Sequence, residues 1–112
     1  MLITSLLLAT MAPAGTGTVD TTRAAFTKCL RGHLKKSLDA KMGEAEYEVS
    51  LKGACDAERE AFRAAVTAAN AASGYSAADA ADNAEMQIED YHASFTDKFA
   101  DYSASNTRPA DE

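Results

Sequence analysis

Cys29 and Cys55 lie equally far on either side of Met42, and Met42-Gly43 has the chemistry of a helix stop. In an antiparallel pair of helices, facing residues have numbers centred on the turn. The cysteine midpoint and the glycine stop are independent signals, and they agree. Together they predict a helical hairpin stapled by a Cys29–Cys55 disulfide. A disulfide needs its Cα atoms within about 7 Å, closer than helix axes usually run. Gly32 and Gly53 flank the expected staple, where small residues let backbones approach. Closing this loop adds about 3 kcal/mol in the loop-entropy model.

The compartment follows from the other end of the argument. Residues 1–11 form a short apolar stretch, followed by Ala12-Pro13-Ala14. That pattern matches the apolar region and small-residue cleavage site of an export signal. Cleavage between Ala14 and Gly15 fits best, because cleavage after Ala12 puts a proline next. The stretch is too short to span a bilayer, which takes about 20 apolar residues. No cysteine follows it directly to carry a lipid anchor. Two cysteines in an exported chain are read as one disulfide. The expected organisation is a signal peptide over 1–14, a single helical domain over 15–105 and a disordered polar tail over 106–112. The expected location is the periplasm or the extracellular space.

Alanine is abundant, and the two prolines are Pro13 and Pro109. The composition favours helix throughout. A first helix is expected over about 20–41, with Phe26, Cys29, Leu30, Leu34, Ser37 and Leu38 on one face and Gly43 as its stop. A second is expected over about 44–72, with Tyr47, Leu51, Cys55, Phe62, Val66 and Ala69 inward. Gly53 is its weak point, since glycine in a helix costs about 1 kcal/mol relative to alanine. The alternative is a break at Gly53, with Asp56 capping a new helix. A third is expected over about 77–103, capped by Ser76, with Ala77, Ala81, Ala84, Ile88, Tyr91, Phe95, Phe99 and Tyr102 as its stripe. The fold class is therefore all-α, a small three-helix bundle built on a disulfide-stapled antiparallel hairpin.

Charge is unevenly distributed around a net of −6. Residues 20–42 carry net +4, and residues 76–103 carry net −6. The first and third helices are expected to attract one another. Only Lys28, Arg31 and Lys35 align as a basic face, without interleaved aromatics, which argues against nucleic-acid binding.

Candidate chemistry is sparse. Cys29, His33, Cys55 and His92 could together bind zinc tetrahedrally, but no closely spaced ligand pair recurs among them. Glu89 and His92 have the Glu-x-x-His spacing of di-iron bundles, yet Leu30 stands where a second copy would need a glutamate. His33 and His92 are candidates for a pH response. The sequence therefore leads to no catalytic residue, no metal and no cofactor. It points to a soluble, non-enzymatic binding or interaction protein of the cell envelope, monomeric or homodimeric. Its partner is expected to be a protein, with neither nucleic acid nor stable membrane insertion. The alternatives are an acid- or stress-responsive periplasmic chaperone and a weak metal-binding protein.

Overall fold

A computed structural model of the chain describes residues 16–110. The expected signal peptide and the Ala14–Gly15 cleavage point lie outside the described residues. Four helices follow in order: α1 (Thr16–Asp39), α2 (Glu44–Gly53), α3 (Asp56–Ala72) and α4 (Ala77–Ser105). The described residues contain no strand, and the helices form a small all-α bundle. Among them, no helix is long and apolar enough to cross a membrane.

The expected second helix is thus two helices, divided just after Gly53. The new helix is not capped by Asp56. Cys55 occupies the N-cap position in the left-handed conformation, with φ 60° and no side-chain cap, and Asp56 is the first helical residue. A non-glycine residue with positive φ is uncommon and marks a turn in the chain. α2 consequently packs on α4, while α3 packs on α1 and α4.

Helix ends explain most of the remaining path. α1, α3 and α4 all finish with a left-handed residue: Lys41, Gly74 and Asn106. Each is followed by an amide that reaches back five residues, Met42 to Ser37, Tyr75 to Asn70 and Thr107 to Tyr102. This double-bonded ending satisfies carbonyls that a helix terminus leaves orphaned. The stop residue of α1 is therefore Lys41. Gly43, expected to fill that role, is the extended N-cap of α2. Ser76 caps α4 as expected, its Oγ accepting from the Asp79 amide at 3.1 Å.

The core draws on every helix. Phe26, Leu30 and Leu34 come from α1, Tyr47 and Leu51 from α2, Phe62 and Val66 from α3, and Ala84, Ile88, Phe95 and Phe99 from α4. One register differs from expectation: Ala80 is buried, whereas Ala77 and Ala81 are exposed. The apolar residues of 77–84 are all alanine and carry no size contrast, so the inward face is hard to read from pattern. Glu85 of α4 is paired with Arg63 of α3.

Candidate functional site

The elbow between α2 and α3 gathers the reactive side chains. The Ala54 amide still bonds to Ser50 and Leu51 carbonyls, and the Arg59 amide opens α3 by bonding to the Cys55 carbonyl at 2.8 Å. Arg59 then locks the bend. Its Nη1 donates to the Lys52 carbonyl at 2.6 Å, at the negative end of α2, and its other arm pairs with Asp56. Cys55 is bonded to Cys29 on α1, with 5.9 Å between their Cα atoms. The staple expected from the midpoint argument is present. Gly32 and Gly53 do not make room for it, because a Cβ at either position meets nothing within 4 Å. Glu58, one turn into α3, brings a carboxylate oxygen within 4.8 Å of both sulfurs, and all three residues are partly exposed.

A column of rings crosses the bundle beside the elbow. His33 stacks on Tyr47 at 5.6 Å, and Tyr47 stacks on Phe99 at 4.1 Å. Ser50 Oγ lies 2.9 Å from the Tyr47 carbonyl, to which it can donate, and shares a hydrogen bond of 3.0 Å with His33 Nε2. Burial, and secondarily the Lys36 cation, lowers the His33 pKa below its usual 6.5. Tyr47 is fully buried, and its hydroxyl has no hydrogen-bond partner. Desolvation pushes its pKa up to about 12.

His92 sits apart, edge-on to Phe26 at 6.2 Å. Burial lowers its pKa, with Arg59 and Lys52 adding in the same direction. Its Nε2 is buried without a partner. It lines a hollow of about 370 Å³ with Glu48, Lys52 and Glu89. The four potential zinc ligands are therefore not assembled. His33 is engaged by Ser50 and Tyr47, and His92 faces Phe26. Among the described residues, the histidine, cysteine and acidic side chains whose donor atoms converge are Cys29, Cys55 and Glu58. Sequence reading missed Glu58. The signal was Cys55-x-x-Glu58, a one-turn spacing on a helix.

A cleft of about 440 Å³ opens between the α1–α2 turn and the end of α4. Leu38, Met42, Phe99 and Tyr102 form its apolar lining, and Asp39, Lys41 and Arg108 stand among its polar groups. Arg108 follows α4 and pairs with Asp39 of α1 at 2.7 Å. The cleft exists because both left-handed helix endings, at Lys41 and Asn106, meet at this end of the bundle. Compared with known proteins, the chain matches no family model, no curated protein and no solved structure.

Proposed function

We propose that this chain is a non-enzymatic binding protein that acts outside the cytoplasm, in the periplasm or after secretion. The observation that carries the reading is the cleft at the α1–α4 end. Its mixed lining, with Leu38, Met42 and Tyr102 beside Asp39, Lys41 and Arg108, suits an amphipathic ligand, and it contains neither histidine nor cysteine. The Cys29–Cys55 disulfide fits an oxidising compartment.

Titration with anilinonaphthalene sulfonate, an aromatic anion, tests the cleft. One probe is expected to bind per native chain at neutral pH. Tyr102→Ala should weaken it about tenfold, equal to roughly 1.4 kcal/mol. No binding to the native protein at neutral pH overturns the assignment. Mass spectrometry of protein recovered from the exported fraction tests the compartment. A mass matching residues 15–112 with the disulfide closed supports it, and an uncleaved chain confined to the cytoplasm refutes it.

An acid-responsive chaperone is the second reading. His33 and His92 are both held neutral by burial, so acidification charges groups inside the packed bundle. Under this reading, probe fluorescence rises only on acidification and client aggregation is suppressed there. Unchanged fluorescence at low pH removes it.

A further inference from the structure

We propose that reduction of the Cys29–Cys55 disulfide uncovers a zinc-class metal site made of Cys29, Cys55 and Glu58. The disulfide then serves as a redox-operated cover over a site that the fold has already positioned.

The donors are of the right kind and already close. Zinc takes thiolate sulfur at about 2.3 Å and carboxylate oxygen at about 2.0–2.2 Å in tetrahedral geometry. Two thiolates on one such ion stand roughly 3.8 Å apart, and a thiolate and a carboxylate oxygen roughly 3.5 Å. The two sulfurs and the Glu58 oxygen all lie within 4.8 Å of one another. Side-chain rotation alone covers the difference. Three protein ligands leave the fourth position to water, which the partial exposure of all three residues permits.

The backbone around these donors is also held by contacts other than the S–S bond. Cys29 lies mid-helix in α1, between buried Phe26 and Leu30. Cys55 and Glu58 belong to an elbow that Arg59 fastens through the Lys52 carbonyl and Asp56. Cys55 is also the N-cap of a 17-residue helix.

The chemistry balances with a dithiol as the named reductant. One thiolate of the dithiol attacks the disulfide, and its second thiol resolves the mixed disulfide. The dithiol is oxidised by two electrons, and Cys29 and Cys55 become thiols. Binding a divalent ion then releases two protons, one from each thiol, while Glu58 enters as a carboxylate.

Cobalt(II), a spectroscopic substitute for zinc, tests this in the full chain. The oxidised protein should give no sulfur-to-cobalt charge-transfer band. After reduction by a phosphine, one equivalent should produce that band with the visible bands of a tetrahedral site, and zinc should bleach both. Glu58→Gln, which keeps the disulfide for folding, should weaken reduced-state cobalt binding about tenfold or more. Asp82→Asn, at an exposed position on α4, should leave it unchanged. The Cys29→Ser, Cys55→Ser double variant should abolish the band. Circular dichroism reports whether each reduced sample is still helical. Absence of the band from a reduced, helical protein overturns the proposal. So does a reduced protein that has lost its helices, or a Glu58→Gln variant that binds as tightly as the parent.

Discussion

Tyr47→Phe is the substitution whose outcome the structure specifies most closely. The Tyr47 ring is fully buried and stacked on Phe99 at 4.1 Å, yet its hydroxyl has no hydrogen-bond partner. A buried polar group left unpaired costs about 1–3 kcal/mol. Phenylalanine keeps the ring and removes that cost, so the variant should be more stable at neutral pH by about that amount. A second arm uses pH. Desolvation raises the folded-state pKa of Tyr47 from 10 to about 12. A group with a raised folded pKa contributes stability that is fully present below its unfolded pKa and is lost as pH rises through the folded value. The loss between pH 10 and 12 approaches about 3 kcal/mol, since each pKa unit is worth a little over 1 kcal/mol. Urea unfolding of both proteins, followed by far-ultraviolet circular dichroism across that range, isolates Tyr47 from the other tyrosines and the lysines. The advantage of the variant should widen with pH. A Tyr47→Phe protein no more stable than the parent at pH 7, or one that loses stability in parallel with it above pH 10, refutes the reasoning.

Replacing both cysteines with alanine should lower stability by about 3–4 kcal/mol, since the bond closes a loop with a sequence separation of 26; an unchanged urea midpoint contradicts this. Gly32→Ala should stabilise by about 0.5–1 kcal/mol, because a Cβ there meets nothing within 4 Å, and thermal melting is the check. Lys41→Gly should raise stability by up to about 1 kcal/mol by relieving a side chain at φ 53°; a lower melting temperature counts against the left-handed ending of α1. His33 has a lowered folded pKa, so its contribution is present above pH 6.5 and is lost as pH falls through the folded value. His33→Gln keeps a donor for Ser50 without titrating, and its urea midpoint should fall less than the parent's on acidification.

The parts of this fold legible in the sequence were those with a local chemical signature. Ser76 is a short hydroxyl before an alanine-rich helix, and it caps. The spacing of Phe26, Leu30 and Leu34 names a buried face because those side chains differ sharply from their neighbours. The staple was legible because two cysteines around a turn leave few geometries. Features set by tertiary context were not legible. Lys41 takes a left-handed conformation usually given to glycine, so Gly43 looked like the stop. Cys55 does the same at the elbow, and nothing in its local sequence marks that reversal. The candidate ligand set failed for a related reason. His33 looked free to join Cys29 because they share a helix face, but the pairing of α1 with α2 gives it Ser50 and Tyr47 instead. Glu58 was one turn from Cys55 in either reading of the helix, and its approach to the Cys29 sulfur depends on how α3 packs on α1.

The shortness of α2 gives the bundle a weak unit. Ten residues are too few for a helix to persist alone in water, and α2 rests on its neighbours through Tyr47 and Leu51. Its far end is tied covalently at Cys55, while its near end enters from Gly43 with no side-chain cap. In hydrogen–deuterium exchange, the α2 amides should form the least protected cooperative block, opening from the Gly43 end and peeling toward the elbow. Because Tyr47 bridges His33 and Phe99, each such opening also unstacks the ring column and bares the Phe99 face of the cleft. The exchange rate of this one segment is therefore a direct clock for how often the interior is offered to a ligand.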